Sequence, residues 1–133
     1  MSYKDRFRRR LDAIQAGAWE QLEQITVFPP EAARGILGEI LETGCLSQNA
    51  ANICLAREAL ARLPGEWLRE NLPGAVNDCL FREPGWEEWE FRRLAEMLEK
   101  PFPELLAWWI DYAHQRNDPE IEEAINDYIK QEE

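Results

Sequence analysis

Asp111-x-x-His114 sets a carboxylate and an imidazole one helical turn apart, the spacing by which one helix offers two ligands to a carboxylate-bridged metal pair. Such a centre takes two pairs of this kind and further glutamates, and the chain holds one histidine. Both residues also fall on the polar side of their helix, so a surface role is expected. Glu90 is the other residue with chemical potential. On a helical wheel it lies on the apolar side near Leu94 and Met97, where a carboxylate needs a partner. A general acid or base of raised pKa is one use for such a group, and a metal-dependent enzyme using Glu90 is the enzymatic reading. No second convergent group can be placed beside it. The expectation is therefore a structural ion pair, with Arg57 as partner and Arg93, at i+3, as the alternative.

Other chemistry lacks its residues. The chain contains no G-x-x-x-x-G-K-[ST], no G-x-G-x-x-G and no G-x-S-x-G. Cys45, Cys54 and Cys79 are odd in number and never spaced as C-x-x-C, which fits neither a disulfide framework nor a zinc site. Small buried thiols are expected. No cofactor, no metal and no enzymatic activity are implied.

What remains is recognition. Trp86, Trp89, Phe91, Phe102, Trp108, Trp109 and Tyr112 crowd into a short stretch. A platform for stacking bases is one reading. Helical periodicity puts most of the set in the core instead, and leaves Trp89 and Trp108 at or beyond the apolar edge. These two are the candidate partner contacts, since tryptophan is enriched at binding hot spots. Acidic Glu87, Glu88, Glu120, Glu122 and Glu123 flank them. A glutamate early in a helix complements its dipole, which accounts for Glu120 and Glu122 without a partner. It does not account for the charge of the whole segment.

That charge is lopsided. The chain carries −11 overall; residues 83–133 hold 15 acidic against 5 basic side chains, or −10. Residues 1–10 hold Lys4, Arg6, Arg8, Arg9 and Arg10 against Asp5, or +4. Nucleic acid and anionic membranes should be repelled and a basic protein attracted. The arginines of RFRRR spread around their helix, with Phe7 on its buried stripe, so pairing with the acidic body is expected. A partner with a basic surface and a monomer or weak homo-oligomer follow. LLAWWI, the longest apolar run, is too short to cross a bilayer. No charged leader with an apolar h-region is seen, and a cytoplasmic location is expected.

The elements that must carry these residues are helices; no run of alternating β-branched residues occurs. The whole chain, 1–133, reads as a single all-α domain of about seven helices, long enough to bury a core without disulfides. A leading helix (within 1–27) opens at Ser2 and runs to about Ile25, carrying Phe7, Leu11, Ile14, Ala18, Leu22 and Ile25. Three helical hairpins follow, at 28–63, 64–99 and 100–131. Pro30 starts a second helix that Gly44 should stop. Ser47 or Asn49 caps a third. Pro64 starts a fourth, bent or divided at Pro73-Gly74 before Phe81. A fifth spans about Trp86 to Leu98, and Pro101 and Pro103 open a sixth ending near Gln115. Asp118-Pro119 opens a seventh with Ile121, Ala124, Ile125, Tyr128 and Ile129 inward.

FPPEAA, LPGEWL and PFPELL repeat one phrase, and their Glu31, Glu66 and Glu104 lie 35 and 38 residues apart. That is about the length of a helix–turn–helix repeat. A second echo aligns NAANICLAREAL (49–60) with NDPEIEEAINDY (117–128). The layout resembles HEAT-like and related α-solenoid proteins over residues 28–131, a likeness of period rather than of motif; an irregular helical bundle is the alternative. The resemblance implies a scaffold binding macromolecules and transfers no functional residue. Two functions are carried forward: a protein–protein interaction module, and an acidic inhibitor, of the size and charge of immunity and antitoxin proteins, that neutralises a basic protein.

Overall fold

The computed structural model describes residues 3–46, 49–80 and 88–132. They form seven α-helices and one 3-10 helix, with no strand among them. Expectations placed on Ser2, Ser47, Phe81, Trp86 and Glu87 lie outside the described residues, as do those on the side chains of Cys79, Tyr128 and Ile129.

The leading helix is shorter than its periodicity predicts. Helix α1 covers Tyr3–Ile14, and a 3-10 helix covers Trp19–Val27. Between them Gly17 adopts φ +76°, a left-handed conformation that favours glycine. The Asp12 carboxylate accepts from the Trp19 backbone N–H at 3.1 Å. The apolar residues explain the change of helix type. Leu22, Ile25 and Phe28, all buried, recur every third residue, and although the backbone leaves helical values at Gln21 and Gln24, the successive 3-10 turns keep these side chains on one edge. The 3-10 helix folds back on α1, where Trp19 meets Phe7 edge-on at 6.0 Å.

Helix α2 runs Pro30–Leu46 and α3 runs Ala50–Arg62. Gly44 does not stop α2. It lies inside the helix, and a Cβ there would sit 2.6 Å from Met97 Sδ. This glycine is kept for close approach of helices. Asn49 caps α3, its Oδ1 accepting from Asn52 N at 3.0 Å. Helix α4, Gly65–Leu80, continues through Pro73. The ring leaves the Arg69 carbonyl without its usual donor, but does not divide the helix. Helix α5 covers Glu88–Glu99, α6 covers Pro103–His114 and α7 covers Pro119–Glu132. The turn before α7 places Asn117 at φ +53°. Asp118 then caps α7, its Oδ1 accepting from Glu120 N at 2.9 Å.

Helix α2 is the central element. It packs against α1, the 3-10 helix, α3, α4 and α5, while α5 also meets α3, α6 and α7. These contacts are those of a helical bundle. One buried cluster takes in Phe7 of α1, Leu22, Ile36, Leu60, Leu68, Phe91, Trp109 and Ile125, so every helix contributes to the same core. Among the described residues no helix is long and apolar enough to cross a membrane.

Candidate functional site

The candidate residues are best located by what holds each one. Trp109 is fully buried. Its indole N–H donates to the Phe91 carbonyl at 3.1 Å, and its ring stacks on Phe91 at 5.8 Å, joining α6 to α5. A buried indole needs such an acceptor. Trp108 is half-buried against the core, 5.3 Å from Tyr112 and 5.9 Å from Trp109 between centroids. It forms the rim of an aromatic cluster. Tyr112 completes that cluster and donates its hydroxyl to Asn77 Oδ1 of α4 at 2.6 Å. Burial pushes the Tyr112 phenol up from its ordinary range, with nearby Arg116 opposing.

Trp89 is different. It is 39% exposed, and the Arg93 guanidinium lies 4.9 Å from its ring centroid, a cation–π distance. The same arginine reaches the Cys45 carbonyl at 3.5 Å. Arg93 therefore holds Trp89 near the C-terminal end of α2, where Leu46 is also exposed. An aromatic ring and an aliphatic side chain thus reach solvent at one end of the bundle. The other described tryptophans, Trp19, Trp67, Trp108 and Trp109, pack in or against the core.

The acidic candidates do not converge into one site. Glu88 pairs with Arg92 at 3.0 Å, and Arg92 also reaches Asp127 at 3.1 Å, so Glu88 belongs to a link between α5 and α7. Asp127 is the leading cause that holds the Arg92 guanidinium above its usual pKa. Glu122 meets His114 Nδ1 at 2.9 Å, joining α7 to α6. Of the Asp111-x-x-His114 pair, His114 thus serves a helix–helix contact, while Asp111 is exposed. Glu120 and Glu123 remain exposed on α7. Among the described residues no group of His, Cys, Asp or Glu is placed to hold a metal ion.

Glu90 is only 6% exposed, in keeping with its place on the helical wheel. The expected Arg57–Glu90 pair does not form; Arg57 pairs with Glu96. Glu96 lies on the outer side of α5, within reach of Arg57 as it leaves the margin of α3, whereas Glu90 turns inward. The thiols also divide: Cys45 is buried and Cys54 exposed. At the basic end, Arg10 pairs with Glu39 at 2.8 Å, and Arg8 lies 4.8 Å over the Trp19 ring. Arg62 binds Glu23 at 2.7 Å, and that hydrogen bond holds the Glu23 carboxyl below the usual carboxylate range.

Several of these links share one offset, which sequence inspection missed. Arg69–Glu104, Asn77–Tyr112 and Arg92–Asp127 each span 35 residues. The first two tie α4 to α6 and the third ties α5 to α7. No family model, curated protein or solved structure matches the chain.

Proposed function

We propose that the protein is a non-enzymatic helical-repeat module that binds a protein partner through the surface around Trp89. The carrying observation is the exposed indole of Trp89, fixed by Arg93 beside the end of α2. An exposed tryptophan already ordered by a neighbour loses little freedom on binding, which favours affinity. The net charge of −11 supports a partner with a basic surface. Links from α4 to α6 and from α3 to α5 to α7 join first helix to first and second to second of the hairpins, which supports the repeat reading, since stacked units contact their neighbours. An inhibitor that neutralises a basic protein is the narrower form of the same proposal.

The test is capture from native lysate by the wild-type protein and by Trp89→Ala, at low and at high salt. Under the proposal a basic protein is retained by the wild type, is lost with Trp89→Ala, and weakens as salt screens the long-range attraction. Capture unaffected by Trp89→Ala would refute the assignment of this surface.

A further inference from the structure

Two cavities adjoin along the groove between α2 and α4. The first, of 230 Å3, is lined by Ile25, Phe28 and Trp67, with Arg34 and Asn71 at its edge. The second, of 270 Å3, shares Arg34 and Asn71 and extends past Gly74 to Glu70 and Asp78. Arg34 lines both cavities. Arg10, Arg57, Arg62, Arg69 and Arg92 each hold a carboxylate. Among the described residues Arg34 makes no ion pair, and its Nε donates only to the Pro30 carbonyl at 3.4 Å. Asn71 donates its Nδ2 to the Trp67 carbonyl at 2.8 Å, which leaves its side-chain oxygen to accept. Gly74 has no packing reason to be glycine: a Cβ there would meet nothing within 4 Å. A side chain there would instead narrow the second cavity.

We propose that this groove binds an apolar residue bearing a free α-carboxylate and a blocked α-nitrogen. A guanidinium matches a carboxylate with two parallel hydrogen bonds. The Asn71 oxygen suits the amide N–H, and the slot between Phe28 and Trp67 takes the apolar side chain. Glu70 and Asp78 line the second cavity but not the first; their charges oppose any anion there and disfavour a second negative charge most. This chemistry is met by an N-acylated amino acid or by the carboxyl end of a peptide. The inference is independent of the Trp89 surface.

The probes are N-acetyl-L-leucine, its neutral amide, and acetyl-Gly-Gly-Leu, titrated while the Trp67 indole N–H resonance is followed. The acid should bind roughly tenfold tighter than the amide. Arg34→Gln should erase that preference, and Arg34→Lys should keep part of it. Arg34 is exposed, so both variants should melt with the wild type. If acetyl-Gly-Gly-Leu binds tighter than N-acetyl-L-leucine and Gly74→Leu removes the gain, the ligand is a peptide end whose chain crosses Gly74. Equal binding identifies the small acid. Equal affinity for acid and amide, a preference that survives Arg34→Gln, or no shift of Trp67 at about 10 mM acid would overturn the proposal.

Discussion

Gly44 of α2 and Met97 of α5 occupy space that a single methyl group would contest: a Cβ on Gly44 would lie 2.6 Å from Met97 Sδ and 3.2 Å from the Ala56 Cβ. Alanine would gain about 1 kcal/mol in helix propensity. The thioether can swing, but Ala56 is fixed to its helix, and crowding a packed core costs about 1–3 kcal/mol. Crowding should win. Gly44→Ala is expected to lose about 1 kcal/mol net in urea denaturation. In the double variant with Met97→Ala the two losses should sum to less than their parts. Additive losses would mean that the contact does not govern the site.

Gly17 is the second glycine with a demand on it. At φ +76° a side chain is strained whatever the space around it. Gly17→Ala should cost about 1–2 kcal/mol, and Asp12→Ala about 1 kcal/mol through the lost acceptor for Trp19 N. Thermal melts of both variants check this. An unchanged Gly17→Ala melt would argue for a continuous leading helix.

Glu90→Ala should be the most damaging of the acidic substitutions. A carboxylate 6% exposed is tolerated only where its charge is compensated within the protein. Removing it leaves that compensation without a counterpart, at roughly 3 kcal/mol. Arg69→Ala, by contrast, breaks a pair whose members are 63% and 78% exposed, and should move stability by less than about 0.5 kcal/mol. Denaturation of the two variants side by side tests the contrast. An unaltered Glu90→Ala midpoint would show that the carboxylate needs no internal partner.

Alkaline pH should weaken the fold through Tyr112. Its phenol is raised by burial, so the folded state binds the proton more tightly than the unfolded chain does. The stabilisation is complete below the unfolded pKa of about 10 and is lost as pH climbs from there through the folded value. Tyr112→Phe should remove this dependence. At neutral pH it should cost about 1 kcal/mol for the bond to Asn77. Ultraviolet titration of the phenols, read beside stability at each pH, would expose a normal Tyr112 if the wild-type and variant slopes agree.

Helix content and most of the core were legible because apolar spacing and proline starts are local signals. Phe7, Leu11, Leu60, Leu94, Trp109 and Ile121 took their expected places. The misreadings came where one residue has two physical uses. Gly44 has the type of a helix stop, yet serves a contact with a residue 53 positions away along the chain. Sequence spacing points Arg57 to Glu90, the acid on the apolar side of α5, whereas the arginine pairs with Glu96 on the outer side; which acid an arginine on another helix reaches is not a local signal. Arg34 looked unexceptional in the sequence; its lack of a carboxylate is visible only when its neighbours are in place.

The central position of α2 also bears on how the chain is made. Residues 30–46 leave the ribosome well before α5, whose Met97 and Phe91 help to enclose them. During that interval the apolar sides of α2 have only α1, the 3-10 helix, α3 and then α4 for shelter, and the nascent polypeptide must wait roughly 3–10 s for α5 at ordinary synthesis rates. Covering this one segment until α5 arrives is expected to raise the yield of the finished molecule.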